Sequence, residues 1–185
     1  ISSVNDGGPH TTIAPGATWN PKFEVMDHAA TYWYHPHLHE KTHEHVSKGM
    51  AGIIIVRDSN EATLNLPRTY GVDDFPIILQ TKAFDSINVN QIDIMSALDS
   101  NMMVNGTLDP VLDVPAQMVR MRLLNGSSER IYYLGFDDDR FFKQIGSDGG
   151  LLNSPYKTNR LLLAPGERAE IILDVTADSN KTISL

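Results

Sequence analysis

Cysteine is absent from all 185 residues. That excludes disulfides, a thiolate nucleophile, zinc held by cysteine and any blue-copper site built within the chain, because such a site needs a Cys sulfur on the metal. Basic residues are also scarce, 15 Lys and Arg against 23 Asp and Glu, for a formal net charge of -8. A chain charged in this way presents neither a basic footprint for nucleic acid nor a polybasic patch for a membrane surface. No apolar run approaches the roughly 18 residues of a membrane span. The opening stretch ISSVNDGGPH has neither the basic nor the apolar region of a signal peptide. What remains is 41% hydrophobic, enough for one large or two small globular domains and too apolar for a disordered chain.

Short runs rich in β-branched and aromatic residues dominate: 29–35, 51–57, 76–84, 117–124, 131–136 and 169–175. Each is bounded by turn formers, among them Asn105-Gly106, Asn125-Gly126, Ser147-Asp148-Gly149-Gly150 and Pro165-Gly166. In 117–124, Val119, Met121 and Leu123 share one face while Arg120 and Arg122 point the other way, the pattern of a half-buried strand. Only the segment around Thr42–Lys48 reads as a short helical turn. Regularly spaced short strands predict an all-β, Greek-key sandwich architecture. The scattered methionines, Met26, Met50, Met95, Met102, Met103, Met118 and Met121, read as core filling, and Trp19 and Trp33 as sandwich packing. The sequons at Asn105, Asn125 and Asn180 are short enough to arise by chance.

Residues 13–25 (IAPGATWNPKFEV) align without gaps to 163–175 (LAPGERAEIILDV), an offset near a domain length. This reads as one sandwich unit used twice. Residues 1–58 are then the C-terminal part of a first domain and 74–185 a second domain, incomplete at its C-terminus. The polar, irregular stretch 59–73 is the linker between them.

Five of the seven histidines fall between positions 35 and 45, in WYHPHLHEKTHEH. On an extended segment His35, His37 and His39 project to one side, roughly 7 Å apart from i to i+2. Neutral imidazoles suit copper, nickel, zinc or iron, and no carboxylate-rich cage for calcium or magnesium adjoins them. Pro36 fixes a backbone dihedral between the first two, a rigid mount. A surface histidine cluster with adventitious metal affinity is the alternative that these residues leave open.

The run ATYWYHPHLH…THEHVSKGMAGIIIVRD resembles the second copper motif of the multicopper oxidase family. The likeness continues in order through YGVDDFPIILQ, MMVNGTLDP, RMRLLNGSSER, GSDGGLL and LAPGERAEIILDV, and is similar to the second domain of the bacterial copper-efflux and bilirubin-oxidase branch. The resemblance implies cupredoxin-like domains and a laccase-like parent that couples one-electron oxidation of substrates to four-electron reduction of dioxygen. By position, His35 and His37 match the histidines that go to the type 3 copper pair of a trinuclear cluster, one to each ion. His39, His43 and His45 match no ligand position. Asp6, in VNDGGP, matches an acidic residue that relays protons in the copper-efflux branch, and a plain turn is the alternative reading. Glu40 stands where the family usually has Gly, which bears on the local turn rather than on the ligands.

The family's first histidine motif, its third domain and its Cys-containing type 1 copper motif are not in this sequence. The reducing substrate, whether a phenol, cuprous ion or a bilirubin-like pigment, is left open, and the remaining segments of the same polypeptide are expected partners. An extracytoplasmic or cell-envelope location accords with the resemblance. Two other classes fit the same residues, a non-enzymatic cupredoxin-like scaffold associated with the septum and a small copper-binding protein. With two of the needed histidines and no cysteine, the 185-residue polypeptide by itself is predicted to be neither blue nor active after copper loading. Oxygen uptake with an electron donor, measured on chain verified by mass, checks this; sustained catalytic uptake would replace the fragment reading with a self-contained enzyme.

Overall fold

The structure, a computed structural model, describes residues 2–8, 11–85, 92–93 and 100–185. The expectation for Met95 lies outside the described residues. In chain order the elements are α1 (Ser3–Asp6), β1 (Ala30–Tyr34), α2 (Thr42–Ser47), β2 (Gly52–Val56), α3 (Ser59–Thr63), β3 (Asp74–Lys82), β4 (Asn101–Val104), β5 (Thr107–Leu108), β6 (Met118–Asn125), β7 (Tyr132–Leu134), β8 (Phe142–Ser147), β9 (Gly150–Thr158), β10 (Leu161–Leu163) and β11 (Arg168–Asp174). Strands β3 to β6, β8, β9 and β11 form a seven-stranded sheet in the order β5-β4-β3-β6-β11-β8-β9. β3 and β6 run parallel while the other pairings are antiparallel, so the chain crosses over rather than meandering. β7 and β10 pair into a second, smaller layer, and β1 pairs with β2.

The core lies between the two layers of the second half. Phe75, Ile77 and Leu79 on β3, Val119, Met121 and Leu123 on β6, and Ala169, Ile171 and Leu173 on β11 point to one side at the two-residue period of a strand. Tyr132, Leu134, Leu161 and Leu163 of the small layer close over them. Phe136 and Phe142 meet edge to face at 5.9 Å. Each large apolar side chain buried there contributes about 1.5–3 kcal/mol against exposure. Asn105 and Gly106 both adopt positive φ, 50° and 77°, the backbone of a two-residue hairpin turn joining β4 to β5.

The runs at 29–35, 51–57, 76–84, 117–124, 131–136 and 169–175 all contain strands, and α2 occupies the expected helical turn. The β8–β9 hairpin had no such signature. β9 is polar, exposed along most of its length and carries Pro155, features of the sheet edge it occupies. The echo at 13–25 reproduces the turn, with Gly16 at φ 78° and Gly166 at φ 77°, but not the strand that follows. β11 lies between β6 and β8, whereas residues 17–26 have no ladder partner among the described residues. Core filling holds for Met121, yet Met26, Met50, Met102 and Met118 are exposed. Met26 and Met50 lie outside the strands, Met118 begins β6, and Met102 lies on β4, next to the edge of the sheet. Trp19 is likewise exposed, its ring resting near Gly7.

A larger correction concerns Arg120 and Arg122. They face away from the apolar core as the alternation requires, but that side of β6 is not solvent: their exposures are 1% and 0%. β1 packs against β11, β8 and β9, and α3 lies beside them, so an ionic layer is enclosed. Arg120 donates to Glu61 Oε1 at 2.7 Å and through Nε to Glu170 Oε2 at 2.9 Å. Arg122 grips Asp74 with Nε and Nη2 at 2.7 and 2.9 Å, and its Nη1 reaches Glu170 Oε1 at 2.9 Å and Thr31 Oγ1 at 3.0 Å. Arg57 donates to Asp74 Oδ2 at 2.8 Å, and Arg68 pairs with Glu61 Oε2 at 2.8 Å outside hydrogen-bond geometry. Glu61 belongs to the stretch read as irregular linker, where α3 instead forms, capped by Asp58 accepting from Glu61 N at 2.7 Å. The same Asp58 accepts from Ala29 N, and these backbone donors hold its carboxyl below the ordinary value.

Removing one charge from this layer strands the others, and a broken buried pair costs about 3–5 kcal/mol. Glu170→Gln in the polypeptide carrying this chain is therefore expected to lower the unfolding free energy by about 3 kcal/mol. Asp138→Asn, at the exposed Arg140 pair, should change it little. Denaturant titration of both variants checks the contrast; equal, small effects would mean that the buried charges are not mutually dependent.

Candidate metal centre

β1 delivers the histidines. Residues 31, 33 and 35 share one side of the extended chain. Thr31 is fully buried in the ionic layer, and the Trp33 ring lies so close to Gly166 that a Cβ there would come within 3.2 Å of it. The ladder with β2 ends at the Tyr34–Gly52 pair, where a Cβ on Gly52 would meet the Tyr34 ring at 2.3 Å. His35 then stacks on Trp33, ring centroids 4.3 Å apart and planes at 26°. The His37 ring lies 5.4 Å from that of His35, tilted by 39°. The i to i+2 spacing across Pro36 thus brings the two imidazoles together.

His35 Nδ1 lies 3.0 Å from the Pro36 carbonyl oxygen. A carbonyl can only accept, so Nδ1 carries the proton and Nε2 keeps the lone pair that a metal requires. His37 is exposed. The two rings fit a metal that favours imidazole, copper included, as two ligands of a site and not as a whole one. Among the described residues no group of three or more His, Cys, Asp or Glu side chains converges.

His39 does not continue the row. The chain turns after His37, with Lys41 N and Thr42 Oγ1 donating to Leu38 O at 3.0 and 3.2 Å. Glu40 takes φ 59°, so the left-handed turn is kept even though Glu replaces the residue that adopts it most cheaply. His39 Nε2 ends 3.8 Å from the Glu40 carboxylate. His43 and His45 belong to α2, and His45 Nδ1 is buried with no hydrogen-bond partner among the described residues. α2 is braced by Glu44, which accepts from Lys48 at 2.6 Å and Lys41 at 2.9 Å; these contacts push its carboxyl down to about 2. Asp6 closes α1 and is exposed, and among the described residues its carboxylate makes no hydrogen bond or ion pair with either His35 or His37. The residue that sequence reasoning missed is Thr31. Its signal was the two-residue step Thr31, Trp33, His35, which becomes meaningful only when the opposing arginines are known to be buried.

A family model described as multicopper oxidase matches residues 3–61. Cell division protein FtsP of Xenorhabdus nematophila is 41% identical over 181 residues, which are 96% of this chain and 38% of that protein. FtsP of Proteus mirabilis is 40% identical, covering 100% of this chain and 40% of its own. Among solved structures, the laccase-like multicopper oxidase CueO from Ochrobactrum sp. superposes with a TM-score of 0.86 at 36% identity, over 100% of this chain and 45% of that one. A multicopper oxidase from Pediococcus acidilactici gives 0.87 at 37% identity, over 97% and 39%. The chain spans less than half the length of each of these proteins.

Proposed function

This chain belongs to the multicopper oxidase family, and we propose that the polypeptide carrying it is a laccase-like oxidase in which His35 and His37 each hold one ion of the type 3 copper pair. The observation that carries the reading is the pair of imidazoles 5.4 Å apart on a proline-stiffened mount, with the Nε2 of His35 left as a donor. When bound, the copper ions would supply the electron storage through which dioxygen, four electrons and four protons become two waters. The chain's own residues orient and insulate: Trp33 shields one face of His35, and Pro36 fixes its tautomer. The other ligands and the type 1 copper would come from further segments of the same polypeptide. Asp6 is proposed to pass protons through water to the reacting oxygen. Residues 1–58 would complete a first cupredoxin domain, 59–73 link it to the next, and 74–185 form most of a copper-free second domain that spaces its neighbours.

A phenol, cuprous ion or a bilirubin-like pigment would serve as the reducing substrate. A cell-envelope location is supported by the cell-division names of the curated relatives. Those names also favour a second reading, a non-enzymatic scaffold acting in division, which needs no copper. No helix among the described residues is long and apolar enough to cross a membrane.

Metal analysis of the copper-loaded full-length protein separates these readings. Under the oxidase reading His35→Ala and His37→Ala lose cluster copper while His39→Ala retains it. A folded wild-type protein that takes up neither copper nor oxygen would instead support the scaffold. Asp6→Asn is expected to lower oxygen-reduction turnover by about 10²-fold with copper content unchanged; unaltered turnover would leave Asp6 as turn chemistry.

A further inference from the structure

A two-stranded ribbon is at best marginally stable alone in water. Among the described residues β1 pairs only with β2, so the ladder alone does not set where β1 lies against the seven-stranded sheet. A slip of one residue would turn Thr31, Trp33 and His35 to the opposite side. The placement must come from contacts across the two sheets, and three are present. Arg168 Nε donates to the backbone oxygen of Thr31 at 3.0 Å. Trp33 packs on Gly166, in the turn that enters β11. The Thr31 hydroxyl donates to Glu170 Oε1 at 2.7 Å while accepting from Arg122 Nη1 at 3.0 Å.

The third contact differs in kind from the others. A hydroxyl that both donates and accepts matches only a site offering an acceptor and a donor at the right angle, so it specifies one register where an apolar contact would tolerate several. The acceptor is itself immobilised. Glu170 also accepts from Arg120, and it lies at an irregularity in the β8–β11 pairing opposite Gly146, where a Cβ would come within 3.3 Å of its side chain. Such bulges re-aim a side chain out of the regular ladder. The sequence of contacts Glu170, Thr31, Trp33, His35 therefore leads from the centre of the second sandwich to the first imidazole.

We infer that Thr31 is a positioning residue for the metal centre: its hydroxyl locks β1 to the Glu170–Arg122 pair and thereby sets where His35 presents Nε2. This rests on the reading of His35 as a metal ligand. Nothing about Thr31 touches the metal, and its influence passes through the strand and the Trp33 stack.

Thr31→Val keeps shape and burial but removes the hydroxyl, while Thr31→Ser keeps the hydroxyl. In the full-length protein, titrated with copper against a competing chelator, Thr31→Val is expected to weaken copper binding by about 10- to 100-fold, the usual effect of losing a partner behind a ligand. Thr31→Ser should restore it. The stack on Trp33 provides a readout that needs no metal: in histidine-labelled apo protein the His35 ring protons, shielded by the indole, should move toward unshielded positions in Thr31→Val and stay in Thr31→Ser. Wild-type affinity in Thr31→Val, with copper lost from His35→Ala, overturns the inference and leaves the ligand reading standing. If His35→Ala keeps its copper, the ligand reading has failed instead, and the ring shifts then decide: unmoved shifts overturn the positioning role too, and moved shifts uphold it as a property of the strand. Should Thr31→Val not fold, Thr31→Ser and Thr31→Ala take its place. Loss of copper and shielding in Ala but not in Ser supports the inference, and equal behaviour of the two overturns it.

Discussion

Five charged side chains, Arg120, Arg122, Glu61, Asp74 and Glu170, lie at 1% exposure or less between β1, the strand that leads to the histidines, and the seven-stranded sheet. Each would be prohibitively expensive to bury alone, since an unpaired ion loses several kcal/mol of hydration even after relaxation. They are tolerated only as a set. The bidentate grip of Arg122 on Asp74 and the sharing of Glu170 by both arginines leave few lone pairs or N–H groups unmatched. Directional bonds of this kind cannot slide. An apolar seam could have joined the two halves with comparable strength, but it would not have specified one register of β1.

β6 explains how an ionic layer and an apolar core coexist in so thin a structure. Its odd-numbered residues, Val119, Met121 and Leu123, fill the space under β7 and β10, while Arg120 and Arg122 face β1. The strand is thus buried on both faces, one dry and one charged. α3 contributes Glu61 from a stretch with no strand character, and its cap Asp58 also holds the entry to β1 through Ala29 N. The histidine mount is consequently fixed at its start by a carboxylate, in its middle by Thr31 and at its end by the stack of Trp33 on His35.

The same fold accompanies relatives bearing two different kinds of name, multicopper oxidases and cell division proteins. A fold of this type does not decide between them, because function resides in the ligand set rather than in the sandwich. Locally, this chain carries the His35-Pro36-His37 pair and a turn at Glu40 that takes a left-handed backbone without glycine. Keeping that turn with a β-carbon present costs about 1–2 kcal/mol, and it leads the chain from His39 into α2.

Alternating apolar positions, turn dipeptides and the His-x-His string were local signals, and local signals are what a sequence displays. They were sufficient for the all-β class and for the strands β1, β2, β3, β6, β7 and β11, whereas the choice of His35 and His37 over His39 came from the family resemblance. They could not show that His39 leaves the row, because the turn closed on the Leu38 carbonyl interrupts a periodicity that the letters continue. Nor could they place β9, a polar edge strand recognisable only beside β8. Most of all they misjudged Arg120 and Arg122. Alternation states which side of a strand a residue occupies, but whether that side meets water depends on what another part of the chain lays over it. Thr31, 91 residues from Arg122 and 139 from Glu170, acquires its partners only when tertiary structure closes that distance.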